Sequence, residues 1–123
     1  MSGTVGLVIG SSVGPEHLAS SARHAEEAGF SELWLAEDFF FTGGLSGANI
    51  ALGATEAIQV GLGVVSAVVR HPALLAMEIA TTARAHPGRF QPGIGLGVPA
   101  WMRQMDLMPS SPLSAVRECV SAV

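Results

Sequence analysis

Two adjacent carboxylates are the first candidates for chemistry in this chain. Glu37 and Asp38 follow directly after the apolar, strand-like segment 32–36 (ELWLA). In α/β proteins, ligands bind at the carboxyl ends of strands, and a carboxylate there can act as a general acid or base. The structural alternative is that one of the pair caps the next loop or faces solvent. Position therefore makes Asp38 the first catalytic candidate and Glu37 the second.

A glycine-rich segment at 93–100 (GIGLGVPA) is a second candidate site. Gly95, Gly97 and Ala100 fit the G-x-G-x-x-[GA] dinucleotide pattern. The fit is weak, because Pro99 leads into an irregular stretch and no acidic strand end follows at the required distance. These glycines indicate either close approach of the backbone to a ligand or close packing. A small Rossmann-like nucleotide-binding module thus stays open as an alternative.

The remaining reactive side chains indicate less about function. His17 and His24 share one helix face without a third ligand at suitable spacing, so no metal site is predicted. His71 stands at a helix start, where it caps the backbone or faces solvent, although its corner position leaves a ligand role open. Residues 39–41 are three consecutive phenylalanines, which could wall an apolar substrate pocket or simply cover the surface.

The elements that must position these residues repeat one plan. Proline near helix starts and glycine at their ends mark the boundaries. The predicted strands are 5–9, 32–36, 59–65 and 93–98; the predicted helices are 15–28, 48–57, 72–85 and 113–123, with an irregular connection over 99–112. The strands lack polar alternation, which predicts that both faces are covered. The alternation of strands and helices predicts an α/β fold with a parallel sheet and right-handed crossovers.

Segment 61–80 (GLGVVSAVVRHPALLAMEIA) is the clearest of these β/α units, since an apolar strand meets the polar corner Arg70-His71 and Pro72 opens a helix. Two architectures satisfy the whole plan: a small doubly wound sheet, or the first four units of an eight-stranded β/α barrel of roughly 250 residues. The chain stops inside an apolar helix without a glycine or proline. We therefore expect residues 1–123 to form a single partial domain.

Composition narrows the class of protein. Apolar residues make up 49% of the chain and the net charge is −4, which excludes a disordered or fibrous chain. The six basic residues are all arginine and are scattered, so nucleic acid is not an expected partner. Cys119 is the single cysteine and no positive charge precedes the N-terminal apolar run, which predicts a cytoplasmic protein without a secretory signal. Segment 45–69 is apolar, but polar residues near its middle oppose a membrane span.

Three ordered segments, 22–40 (ARHAEEAGFSELWLAEDFF), 61–83 (GLGVVSAVVRHPALLAMEIATTA) and 87–97 (PGRFQPGIGLG), resemble the N-terminal half of the luciferase-like monooxygenase superfamily. The likeness is to its branch that uses the deazaflavin coenzyme F420 and includes methylenetetrahydromethanopterin reductases. The resemblance implies a TIM (β/α)8 barrel, of which this chain holds the first four β/α units. It implies F420 as cofactor, with FMN as the alternative, lying across the carboxyl ends of the strands.

The resemblance also assigns site residues. It places an acidic residue beside the coenzyme ring at Glu37-Asp38, although many members follow it with histidine where this chain has Phe39. At Gly63-Val64 it implies a non-prolyl cis peptide and a bulge that back the ring. Ser66 stands where members often have asparagine, and Gly95 and Gly97 bring backbone to the ligand. The implied cofactor-binding residues are therefore Gly63, Val64, Ser66, Gly95 and Gly97.

Two function hypotheses follow. The first is a flavin- or deazaflavin-dependent oxidoreductase that transfers hydride to or from a small-molecule substrate, with this chain a fragment that is not active alone. The second is a non-catalytic half-barrel that acts only through association. Open edges of a four-stranded parallel sheet favour association. The expected partner is a second copy of the chain or a missing C-terminal half.

Overall fold

The computed structural model describes residues 3–123; Met1 and Ser2, which begin the segment predicted not to be a secretory signal, lie outside the described residues. Four strands alternate with helices, as predicted. In chain order the elements are β1 (Gly6–Ile9), α1 (Pro15–Glu27), β2 (Glu32–Leu35), α2 (Gly44–Gly53), β3 (Gln59–Ser66), α3 (Pro72–Ala85), β4 (Phe90–Gly95), α4 (Pro99–Gln104) and α5 (Pro112–Ala122). No described helix is long and apolar enough to cross a membrane.

The strands form one parallel sheet in the order β1-β2-β3-β4. Each strand therefore pairs with the next one along the chain, whereas a doubly wound sheet reverses its strand order at a switch point. Sequential order is that of a β/α barrel. The predicted parallel α/β arrangement is confirmed, and the order favours the barrel over the small doubly wound sheet.

The core lies between the sheet and its helices. Leu33 on β2 and Val60 and Leu62 on β3 are fully buried against helix residues such as Ala22 of α1 and Leu52 of α2. Burying each large aliphatic side chain contributes about 1.5–3 kcal/mol. Alternate residues of the strands thus face the helices, and their burial holds the helical layer against one face of the sheet.

The opposite face of the sheet is not covered within the described chain, so the prediction that both faces are buried is wrong. Val8 on β1 is 71% exposed, although its neighbour Ile9 is buried. On the same uncovered face the Trp34 indole donates a hydrogen bond to Glu32 Oε2 at 3.0 Å. This ring lies over Gly61 so closely that a Cβ there would collide with it.

Two charged side chains fix the loop between α2 and β3 at the amino ends of the strands. The Glu26 carboxylate accepts hydrogen bonds from the backbone N–H groups of Glu56, Ala57 and Ile58, at distances from 2.7 to 3.2 Å. These bonds are the main reason that the pKa of Glu26 lies below its usual value, with the Ile58 bond contributing most. On the other side of the loop, the Arg89 guanidinium donates to the carbonyl oxygens of Thr55 and Ile58.

Two predicted elements are displaced and one predicted connection is wrong. The helix expected at 48–57 is α2, Gly44–Gly53, four residues earlier at both ends, and the strand expected at 93–98 is β4, Phe90–Gly95, three residues earlier at both ends. The connection expected to be irregular over 99–112 contains α4. Helix α4 opens on Pro99 and is held by Met102, which is fully buried. The other predicted elements agree with the structure within one residue or two.

Candidate functional site

The carboxyl ends of the strands form the candidate site. Both predicted carboxylates lie here, immediately after β2, and the pairing of Leu62 with Leu35 puts Gly63 level with Ala36. Asp38 therefore lies two residues further along the chain than Ala36, the residue level with Gly63. The predicted acids, in the loop after β2, and the predicted ring-backing peptide, in the second half of β3, thus lie toward the same end of the sheet.

Glu37 is held by contacts on both of its carboxylate oxygens. The Arg70 guanidinium donates to Oε1 at 2.7 Å and to Oε2 at 2.8 Å, and the backbone N–H of Gly44 donates to Oε2 at 2.7 Å. The Glu37 side chain is only 5% exposed. Since Gly44 begins α2, this carboxylate also serves the helix N-terminus, where a negative charge is stabilising.

Arg70 joins a second carboxylate. Its Nε lies 3.3 Å from Glu78 Oε2, close enough for ion pairing, although the N–H is not directed at this oxygen. The hydrogen bonds to Glu37 are the main cause that raises the pKa of Arg70, so the guanidinium stays charged. Arg70 was recognised in the sequence as part of a polar corner. Its pairing with Glu37 and Glu78 was not, because Glu37 lies far from Arg70 along the chain.

Asp38 is the half-buried neighbour of this ion pair. It lines an open pocket of about 170 Å³ together with Glu37, Arg70, Val69 and the segment 39–43. No side-chain hydrogen bond of Asp38 is found within the described residues 3–123. Of the two predicted acids, the structure engages Glu37 in fixed contacts and leaves Asp38 beside the pocket.

The peptide bond between Gly63 and Val64 is cis, as the family resemblance implies. The expected bulge is present too, because the pairing of β3 with β4 shifts between Leu62 and Val65. Gly63 is exposed, and a Cβ built on it would meet only the Trp34 ring, at 3.8 Å. The space above Gly63 is therefore open.

Ser66 and the β4 glycines form a packed corner. The buried Ser66 hydroxyl donates to the Leu96 carbonyl at 2.6 Å and lies 3.5 Å from Met102 Sδ. A Cβ on Gly95 would collide with Val64, and Gly97 has a φ of +95°, which L side chains rarely adopt. These contacts explain the residue types by packing, so the predicted cofactor-binding role of Ser66, Gly95 and Gly97 stays a prediction.

Three of the histidine side chains cap a helix or face solvent. His71 Nδ1 accepts a hydrogen bond from the Ala73 backbone N–H at 3.1 Å, which caps α3. His17 and His24 are exposed on α1. Among residues 3–123 no group of three His, Cys, Asp or Glu side chains is placed to hold a metal ion.

One contact across the site was not predicted. The ring of Phe39, after β2, packs edge-to-face on Trp101 of α4, with centroids 6.0 Å apart and an interplanar angle of 81°. Phe40 and Phe41 remain 71% and 59% exposed. The sequence showed the aromatic run but contained no local signal for a partner 62 positions away.

Comparisons with known proteins agree with this architecture. A family model described as luciferase-like monooxygenase matches residues 3–123. Among curated proteins, the chain is 26% identical over 106 residues to a 5,10-methylenetetrahydromethanopterin reductase of Methanolobus tindarius, which covers 86% of this chain. It is 33% identical over 93 residues to an F420-dependent glucose-6-phosphate dehydrogenase of Nakamurella multipartita, which covers 68% of this chain. The chain spans only 32% and 27% of the lengths of these two relatives.

Solved structures give the same result. The coenzyme F420-dependent tetrahydromethanopterin reductase from Methanopyrus kandleri superposes with a TM-score of 0.82 at 25% identity, covering 94% of this chain and 38% of its own. The FMN-containing oxygenating constituent of a 3,6-diketocamphane monooxygenase from Pseudomonas putida gives a TM-score of 0.83 at 19% identity, a likeness of fold alone; it covers 95% of this chain and 37% of its own. These superpositions confirm the predicted fold, the first four β/α units of a β/α barrel.

Proposed function

The chain belongs to the luciferase-like monooxygenase family, and from that premise we propose that it is part of a flavin- or deazaflavin-dependent oxidoreductase that is not active by itself. F420 is the proposed cofactor and FMN the alternative. Names of relatives support the choice, since the glucose-6-phosphate dehydrogenase and the M. kandleri reductase are both called F420-dependent. The proposed reaction is hydride transfer to or from a small-molecule substrate.

The observation that carries the proposal is the open space over Gly63, on the strand next to the one that Asp38 follows. A planar ring needs a face without side chains, and nothing but the edge of Trp34 approaches the position of a Gly63 Cβ. The residues present therefore fit the group. When bound, a reduced deazaflavin or flavin supplies the hydride, and the redox chemistry belongs to it. Gly63 and Val64 would back the ring, and Gly95 and Gly97 would border it.

The roles of the two acids differ in this proposal. Asp38 holds or moves a proton at a carboxylate oxygen, because it lines the pocket and is not engaged by a described side chain. Glu37 positions Asp38, because Arg70 and the Gly44 N–H occupy its oxygens.

The partial barrel limits what this chain can bind. In β/α barrels, a phosphate commonly binds at the loops after strands seven and eight, and the chain has four strands. Fluorescence titration of the 123-residue chain with F420, FMN and NADH tests the proposal. We expect weak binding of F420 or FMN and no binding of NADH. Submicromolar affinity for a flavin or deazaflavin would contradict the partial-barrel proposal, and binding of NADH alone would favour a nucleotide-binding module.

The second candidate function is the non-catalytic half-barrel. The uncovered sheet face with Val8 and the unpaired edges of β1 and β4 favour it, since such surfaces associate. The DNA downstream of Val123 separates the two candidates. A reading frame that continues for roughly half a barrel supports the enzyme and supplies the protein for activity measurements. An immediate stop supports association as the function.

A further inference from the structure

The aromatic segment 39–41 lines the same pocket as Asp38, and its Phe39 ring packs on Trp101. The proposed function assigns no role to these aromatic rings. Phe39 contacts Trp101, so the loop after β2 and helix α4 after β4 meet across the carboxyl end of β3. This contact places an aromatic wall beside Asp38. We propose that the pocket lined by Asp38 and residues 39–41 binds a neutral, apolar part of a small substrate and rejects phosphorylated ones; its role as a substrate pocket rests on the proposed function.

Exposure and backbone conformation support a binding role for the wall. Phe40 and Phe41 are 71% and 59% exposed, although each ring gains free energy on burial. Phe40 also has a φ of +75°, a left-handed conformation that is unfavourable for a non-glycine residue. A bulky aromatic residue at such a position is an outlier of the kind that clusters at ligand sites.

Charge determines which substrates the pocket accepts. Arg70 lines the pocket, and its guanidinium donates to both oxygens of Glu37 and also lies against Glu78. Asp38 adds a further carboxylate to the lining. The Arg70 guanidinium is therefore already paired with two carboxylates, and a phosphate placed beside Asp38 would be desolvated without another cation of the lining to pair with it.

Size limits the pocket to part of a ligand. Its volume of about 170 Å³ is below the range of roughly 300–1,000 Å³ that encloses a whole drug-sized ligand. A single ring or a short branched chain is the matching occupant. Stacking of such a ring on the exposed phenylalanines adds to the free energy gained from the area buried.

Benzyl alcohol and benzyl phosphate test the proposal, because they share a ring and differ in the phosphate. Each is titrated into the ¹⁵N-labelled 123-residue chain without coenzyme, and ¹H–¹⁵N shifts are followed. We expect benzyl alcohol to shift the amides of residues 38–41 and the Trp101 indole N–H, with benzyl phosphate at least about tenfold weaker. Equal or tighter binding of benzyl phosphate, or shifts confined to other residues, would overturn the proposal.

Variants of Phe41 test whether the aromatic wall contributes to binding. Phe41→Ala should weaken benzyl alcohol binding about fivefold, while Phe41→Leu, which keeps an apolar side chain, should weaken it less. Met77→Ala, an equally exposed position on α3, is the matched control and should change nothing. Unchanged affinity in a folded Phe41→Ala chain would refute the aromatic wall. Since no coenzyme is present, probe binding that persists when F420 and FMN fail to bind would sink only the proposed redox function.

Discussion

Glu37 and Arg70 form a two-point ion pair that ties the end of β2 to the corner after β3. Both guanidinium–carboxylate distances are below 3 Å, and the Glu37 side chain is almost completely buried. A buried pair with this geometry couples two loops that carry the candidate site. It also explains why two adjacent acids in the sequence acquire different surroundings in the fold.

Replacing Arg70 should destabilise the chain strongly. Arg70→Ala leaves Glu37 buried and charged without its partner, which costs about 3–5 kcal/mol. Urea unfolding followed by circular dichroism measures the loss. Arg84→Ala, on an exposed position of α3, is the control and should stay within about 0.5 kcal/mol of the unmodified chain. A loss of less than about 0.5 kcal/mol for Arg70→Ala would show that the ion pair does not hold the corner.

The Glu26 carboxylate should make stability depend on acid pH. Its pKa is lower in the folded chain than in the unfolded one, so its contribution is complete above the unfolded pKa of about 4.3. That contribution is lost as the pH falls through the lower folded pKa. Glu26→Gln should therefore flatten the fall in unfolding free energy below about pH 4.5, whereas Glu27→Gln, on an exposed position, should not. Identical pH profiles for the two variants would contradict the loop contacts.

Gly61 should not tolerate a side chain. A methyl group on Gly61→Ala would collide with the Trp34 ring, and overpacking of this kind costs about 1–3 kcal/mol. Thermal unfolding checks the effect. Gly53→Ala is the matched control, because no atom lies within 4 Å of its added Cβ and alanine favours the helix end. Equal melting temperatures for both variants would show that Trp34 does not lie over Gly61.

Much of the fold could be predicted because its signals are local. Pro72 and the apolar run before it predict β3 and α3 within a residue. The start of α2 could not be predicted, since its first N–H is capped by Glu37, seven positions earlier in the loop after β2. The predicted start of β4 is three residues late; Pro92 lies inside β4, where the pairing with β3 becomes irregular, so its missing N–H is tolerated.

The placement of Glu37 and Asp38 after β2 could be predicted from the sequence, while their roles stay predictions. Strand ends identify Glu37 and Asp38 from the sequence, because an apolar strand followed by acids is a local pattern. Their separate surroundings depend on Arg70, 33 positions from Glu37, and on the contact between Phe39 and Trp101. Pairings at such distances leave no periodic signal in a single sequence.

The most direct test of the account is to locate the deazaflavin on the chain. Oxidised F420 is titrated into the ¹⁵N-labelled protein, and the perturbed amides are mapped. We predict weak, saturable binding that shifts Asp38, residues 63–66 and residues 95–97, at the carboxyl ends of the strands. Shifts confined to the opposite end, around Ile58 and Arg89, or none at all at saturating coenzyme, would contradict the account.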